Sequence, residues 1–484
     1  MSLPLSFKIP GAYITIVFGA GPQSPLNAPR TAIIVDYGTA GALNTPTPIA
    51  SADDAGATFG YGSHIYLAAK AFYEEFTFGT LYACRMAEAG GGVAQAKTLT
   101  IATNAATGGS LFIDINGLPK IEVVVLTGDT PTVQAAAVAA AITARPQYPC
   151  TATAALGVVT LTWKQKGLRS TQFKLRTSVT GITGSTYTIA DTVAGITDGD
   201  PTAALTALAI ADYDIIITGA NTSDASTGLP PYVTVVNSRS GPLIGLRGCV
   251  CAASVDTYGT SIALSLALNA HRLQILWCRN ADMTTVEIAA KMAAIRCREE
   301  GSDPAFNFDY QQFEVFRGPY SASDRISLVE ANNALNSGLT PIGINRQGAA
   351  YIWRSITSRY QDLNGGPDYR VLDTSKVTVV DYIADFIASD YIRMGYQRMK
   401  LRDDTQDQRP VAGVITPKIV RNWLVGILKQ GENEDPVVLK NVDAHLNELV
   451  VALSDVVPGR VNATIPLDVI DGFHQFDATL LQIG

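Results

Sequence analysis

Apolar positions near the start of the chain fall into two kinds of run. Tyr13-Ile14-Thr15-Ile16-Val17-Phe18, opened by Pro10-Gly11 and closed by Gly19, and Thr31-Ala32-Ile33-Ile34-Val35-Asp36 are β-branched or aromatic stretches of strand length. Pro22, Pro25 and Pro29 make a linker between them. From residue 51 the spacing turns helical. Ser51-Ala52-Asp53-Asp54 supplies an N-cap and an acidic first turn, and the apolar pattern continues through His64 to Phe72. Leu81-Tyr82-Ala83-Cys84-Arg85 returns to strand texture. Strand, helix, strand predicts the opening of an α/β unit.

The pattern breaks at Gly90-Gly91-Gly92. Residues 94–200 are rich in Thr and Ala and contain a hairpin signal, with strands at 111–115 and 121–126 around Asn116-Gly117. Thr130-Pro131 caps an Ala-rich helix, and residues 151–163 and 172–177 add strands. This stretch reads as an inserted α+β domain, bounded by the glycine triplet and Asp198-Gly199-Asp200, placed outermost and dispensable to the rest. The α/β pattern resumes at Tyr213-Asp214-Ile215-Ile216-Ile217-Thr218, with strands at 248–252, 273–277 and 313–316 separated by helical stretches. Residues 31–93 and 201–354 therefore read as one α/β core domain with a largely parallel sheet. Residues 355–472 form a separate α+β domain. Its first helix carries Val379, Ile383, Phe386 and Ile387; its second, capped by Thr416-Pro417, carries Val420, Trp423, Leu424, Ile427 and Leu428 on one face. Strands at 449–453 and 460–465 follow.

Residues 1–30 and 473–484 remain outside these domains as extended β-arms. Residues 10–18 and 473–483 read as strands with no nearby hairpin partner, so their backbone groups must pair with a distant sheet of the same chain or with another subunit. Tyr13, Ile14, Thr15, Ile16 and Val17 in one arm and Phe476, Ala478 and Leu480 in the other would carry that pairing. Gly19-Ala20-Gly21-Pro22 and Asp471-Gly472 supply joints at their inner ends.

Composition sharpens this picture. Hydrophobic residues make up 47% of the 484 and charged residues only 16%, so much of the exterior is expected to be covered by partners. A net charge of -7 without any Lys/Arg run argues against nucleic-acid binding. No signal peptide and no apolar stretch of membrane-spanning length is visible, which predicts folding in a cytoplasm. Cys84, Cys150, Cys249, Cys251, Cys278 and Cys297 lack metal-ligand spacing and are expected as free, buried thiols.

Catalytic chemistry is not signalled. The four histidines, His64, His271, His445 and His474, belong to no zinc motif and read as chance placements. There is no Gly-x-Ser-x-Gly elbow and no phosphate loop, and Gly19-Ala20-Gly21 and Gly60-Tyr61-Gly62 read as turns. No catalytic residue, cofactor or metal is expected.

Several blocks, in order along nearly the whole chain, resemble the contractile tail sheath proteins of Mu-like bacteriophages. They are Ile9-Pro10-Gly11-Ala12-Tyr13; Ala52-Asp53-Asp54-Ala55 with Phe59-Gly60-Tyr61-Gly62-Ser63; Leu335-Asn336-Ser337-Gly338-Leu339-Thr340-Pro341-Ile342 with residues 349–360; residues 369–386; and Pro458-Gly459-Arg460-Val461-Asn462. Residues 94–200 take no part. The resemblance implies a homo-oligomer of hexameric rings stacked helically around a tail tube protein. It also implies contact with baseplate and tail terminator proteins, assembly in the host bacterial cytoplasm and a final place in the virion tail. Contraction from a metastable extended state would drive the tube through the bacterial envelope without a nucleotide. It further implies a core resembling the subtilisin architecture, without protease activity, and a tube-proximal C-terminal domain whose sheet neighbouring arms complete. In that domain the polar stretch 400–409 is the candidate tube contact, through Lys400, Arg402, Asp403, Asp404 and Arg409; a solvated loop is the other reading. A related contractile injector, or an α/β enzyme of unrecognised motif, is the alternative function.

Overall fold

The structure, a computed structural model, describes residues 30–404 and 412–477. The arm residues Tyr13 to Val17, Ala478 and Leu480, and also Arg409, lie outside the described residues.

The chain enters the core at Thr31–Tyr37 (β1), where every residue after the first is buried. Ile33, Val35 and Tyr37 face one apolar cluster; Ala32 and Ile34 face another. Two buried faces explain a continuous apolar run where a half-exposed strand would alternate. Pro46–Ile49 (β2), Ala52–Phe59 (α1), His64–Glu75 (α2) and Thr80–Met86 (β3) follow. The single helical pattern read over 51–72 is two helices. Ser51 Oγ accepts from Asp54 N at 3.1 Å and Ser63 Oγ from Tyr66 N at 3.2 Å. Gly60 (φ 92°) and Gly62 (φ 72°) make the turn between them, in a backbone region that other residues rarely enter.

The stretch from 94 to 200 folds into Ala96–Ala102 (β4), Gly109–Ile115 (β5), Ile121–Val125 (β6), Pro131–Thr143 (α3), Cys150–Ala155 (β7), Val158–Trp163 (β8), Leu175–Thr180 (β9) and Thr186–Val193 (β10). They make a four-stranded sheet, β10-β4-β8-β7, and a three-stranded sheet, β6-β5-β9. Leu99 and Leu161 of the first sheet, Leu111 and Ile113 of the second, and Val138 and Ile142 of α3 share one core.

The main sheet resumes after Thr202–Thr206 (α4) with Ile215–Ile217 (β11), then Pro230–Arg239 (α5), Cys249–Ser254 (β12), Tyr258–Leu268 (α6), Leu273–Trp277 (β13), Thr285–Glu299 (α7), Leu328–Leu335 (α8), Thr340–Ile344 (β14) and Ala350–Ile352 (β15). Its order is β15-β14-β13-β12-β11-β1-β3-β2. The six inner strands are parallel; β2 and β15 run antiparallel at the edges. Residues 313–316 do not form the strand expected of them. Phe313 and Phe316 instead pack with Phe306 and Phe308 beside the sheet, and β14 takes the place next to β13. Aromatic density marked burial there, not backbone pairing.

The C-terminal region holds Thr374–Arg393 (α9), Lys400–Leu401 (β16), Val414–Ile415 (β17), Pro417–Asn433 (α10), Val442–His445 (α11), Val450–Leu453 (β18) and Val461–Thr464 (β19). Val379, Ile383 and Ile387 of α9 join Leu424, Ile427 and Leu428 of α10 in a separate cluster. Another face of α9 is polar and bonds to the core. Asp381 takes both terminal nitrogens of Arg272 at 2.6 and 2.7 Å, and Thr378 Oγ1 donates to Glu300 at 3.2 Å. Thr374, Thr378, Asp381 and Asp385 recur at helical spacing along it.

Candidate functional site

Open α/β sheets bind ligands where the strand order reverses, outside the carboxyl ends of the strands. Here the order reverses between β1 and β11, and Asp36 lies near the end of β1. Its Oδ1 takes Tyr37 N–H at 2.8 Å and meets His64 Nδ1 at 3.0 Å; its Oδ2 accepts from Gly219 N at 2.7 Å and faces Arg169 Nη1 at 2.9 Å. Trp163 Nε1 donates to His64 Nε2 at 3.1 Å. An indole N–H can only donate, so Nε2 accepts and the ring proton lies on Nδ1, toward Asp36. Burial alone would raise the Asp36 carboxyl. The Arg169 charge and the bonds from His64 and Tyr37 outweigh it and hold the group well below the usual carboxylate range.

An aspartate–histidine pair in this chain order is two-thirds of a nucleophilic triad. A hydrolase would need a hydroxyl on Nε2, and an indole occupies that nitrogen. Asp36 and Arg169 are wholly buried and His64 nearly so, and both capping residues come from the 94–200 stretch. The crevice holds charge and offers no open place to a substrate.

The stretch expected as an outermost, dispensable domain is tied firmly to the core. Besides Arg169 and Trp163, Gln172 bonds Thr285 twice, at 2.8 and 3.1 Å, and Arg176 forks onto Asp282 at 2.7 Å through both terminal nitrogens. Removing the stretch would bare Asp36 and His64 to a cavity. His64, expected as a chance placement, is held in this network by Asp36 and Trp163. Only the chain order Asp then His hinted at the pair; Arg169 and Trp163 gave no local signal.

All six cysteines are free and buried. Among the described residues, no three His, Cys, Asp or Glu side chains are grouped to hold a metal ion.

The candidate tube-contact residues sit at the mouth of α10. Lys400 N donates to Gly413 O at 2.8 Å and Arg402 N to Ile415 O at 3.0 Å, within the short parallel β16–β17 pair, so the stretch starts as a strand rather than a loop. Asp404 accepts from the backbone N of Lys418 in the first turn of α10 at 2.9 Å. Lys400, Asp403 and Asp404 are exposed and Arg402 is half-buried.

Beyond α10, β18 and β19 pair only with each other among the described residues. All of their residues are exposed or half-buried, Val450 among them. A two-stranded ladder of this kind is marginal alone and has both edges free. Residues 473–477, read as the start of an arm strand, pair with no strand among the described residues; Phe473 and Phe476 are 78% and 81% exposed.

No family profile matches the chain. It is 24% identical over 425 residues, 86% of this chain and 84% of the relative, to the Mu-like prophage FluMu tail sheath protein of Haemophilus influenzae. The resemblance carried by scattered blocks thus extends to a continuous relationship. Among solved structures, the sheath tail protein of Desulfitobacterium hafniense is 14% identical over 91% of this chain and 93% of that one, with a TM-score of 0.46. The helical sheath of the anti-feeding prophage in its contracted state is 11% identical over 99% of this chain and 100% of that one, again at 0.46.

Proposed function

We propose that this homologue of a Mu-like prophage tail sheath protein is itself the sheath subunit of a contractile tail. The observation that carries the reading is a sequence relationship spanning 86% of one chain and 84% of the other, which leaves little of either protein for a different task. Subunits form hexameric rings stacked around a tail tube between baseplate and terminator. They contract from a metastable extended state to drive the tube through the bacterial envelope. The work is stored in subunit contacts, so no nucleotide and no catalytic residue is used. The filled crevice at Asp36 supports a structural rather than enzymatic core.

Within the subunit, residues 31–93 and 201–354 are the core, 94–200 the outer domain and 355–472 the tube-proximal domain. Their separate apolar clusters support this division. The arms, residues 1–30 and 473–484, add strands to a neighbour's β18–β19 ladder. That ladder's free edges, and the exposed Phe473 and Phe476 at the base of one arm, support the assignment. Lys400, Arg402, Asp403, Asp404 and Arg409 meet the tube.

Electron microscopy of the purified chain tests the whole. Tubes or rings are expected, whereas small compact particles with measurable turnover would overturn the reading. Chains lacking residues 1–18 or 474–484 should stay folded and fail to polymerise; normal tubes from both would remove the arms as connectors.

A further inference from the structure

The two ends of the described chain leave the fold from opposite termini, yet both are held by one short connection. Arg30, the first described residue, turns its guanidinium to Glu300 Oε2 at 3.4 Å and to Asp214 at 4.0 Å, while Thr31 N donates to Asp214 Oδ2 at 2.7 Å. Glu300 is the C-cap of α7. Its other oxygen accepts from Arg296 Nε at 2.7 Å as well as from Thr378 of α9. Nine residues later Asp309 Oδ2 meets His474 Nδ1 at 2.6 Å. His474 Nε2 lies 3.6 Å from Asp373, the N-cap of α9, an ion pair rather than a hydrogen bond.

The connection between these carboxylates is well tied. Asp303 N donates to Glu299 O at 2.9 Å, and Asp303 Oδ1 accepts from Ala305 N at 2.9 Å. Phe306 and Phe308 meet edge to face at 5.0 Å, with Phe308 in the core cluster, while Ala305 packs on the C-terminal cluster. Gly472 lies close under this contact: a Cβ there would stand 2.7 Å from the His474 ring and 3.0 Å from Asn307 Nδ2, so a side chain would push on both. Just before it, Asp471 binds Lys376 Nζ at 2.7 Å and also Lys440. The C-terminal segment is therefore pinned up to His474, and its exposed aromatic residues flank that point.

We propose that residues 300–309 are a common joint for both arms, holding the N-terminal root through Glu300 and the C-terminal root through Asp309. A pull on one arm then reaches the other along this connection and the start of α9, a path beside the one through β1 and the main sheet. The proposal rests on the sheath reading for its use, because only in a lattice are both arms pulled; the joint itself is a property of the single subunit.

Hydrogen exchange on the unassembled full-length chain tests it. In His474→Gln, exchange should rise about tenfold at residues 303–309, at 471–475 and at Thr31, with β11 to β13 unchanged. Arg30→Gln should speed exchange at 303–309 and 471–475 in return, since coupling is reciprocal. Faster exchange confined to the segment next to each substitution would overturn the joint. Should His474→Gln fail to fold, Asp309→Asn carries the same expectations. Failure of the unaltered chain to form tubes would end the sheath reading and leave this result standing.

Discussion

The junction of the 94–200 stretch with the core and the anchorage of the arm roots are both built from cations set against carboxylates, and they behave oppositely. At the first, Arg169, Asp36 and His64 are sealed from water, and Arg169 has two guanidinium nitrogens with no hydrogen-bond partner among the described residues. At the second, the Arg30 and His474 side chains keep 14% and 16% exposure, at the margin of solvent. A sealed pair cannot part without stranding a charge, so the inserted stretch and the core move as one body. A pair whose cation reaches solvent parts at smaller cost, although Glu300 itself stays buried with Arg296 and Thr378. Rigidity and compliance come here from the same chemistry at different depths.

Arg169→Met should break the first junction most severely, lowering stability by about 3–5 kcal/mol because Asp36 loses its cation. Denaturant melts would measure it, and a loss below about 1 kcal/mol would erase the contrast between the junctions. Adding Asp36→Asn to that variant should recover part of the loss. A smaller effect, about 1–2 kcal/mol, is expected for Trp163→Phe, which leaves His64 Nε2 without its donor.

The arm root offers a test by pH. Hydrogen bonding to Asp309, with the nearby Asp373 charge, raises His474 from its ordinary 6.5 to about 9, against burial and the opposing charge of Arg354. Burial would raise Asp373, but the charges of His474 and Arg354 hold it at about 2. A histidine raised on folding stabilises fully below about 6.5 and loses that contribution as pH rises through about 9. The neighbouring Asp471, Lys376 and Lys440 form their own cluster. In a chain with labelled imidazole carbons, the signal lost in His474→Gln should titrate near 9 in the parent; titration near 6.5 would show that the clasp is open. Global stability should change by less than about 1 kcal/mol.

Reversing Lys400, Asp403 and Asp404 together should alter stability least, by under about 0.5 kcal/mol. It should weaken co-assembly with tube protein in a salt-dependent way; undiminished co-assembly would remove these residues from the contact.

What the sequence disclosed follows from the reach of each signal. The Asn116-Gly117 hairpin and the caps at Ser51, Thr130 and Thr416 are local chemistry, and each formed where expected. β1 was legible because both its faces are buried. β4 escaped notice: Leu99 and Ile101 are its only large apolar side chains, set among Ala and Thr. β2 was hidden by Pro46 and Pro48, which suit only an edge. The Asp36–Arg169 contact joins positions 133 apart, and no short-range pattern encodes such a pair. His64 was weighed against motifs, and its partners came from two other parts of the chain.

The margins of the main sheet decide which strands can recognise one another in a crowd of identical chains. On one side β2 presents two prolines unable to donate to a further strand; on the other, residues 310–313 lie along β15, with Tyr310 N reaching Ile352 O at 2.8 Å and Phe313 N reaching Ala350 O at 3.1 Å. Both flanks are closed to newcomers. A strand arriving from a neighbouring chain must therefore splice outside the main sheet, at an edge such as that of the β18–β19 ladder, so identical chains packed side by side are kept from extending one another's cores.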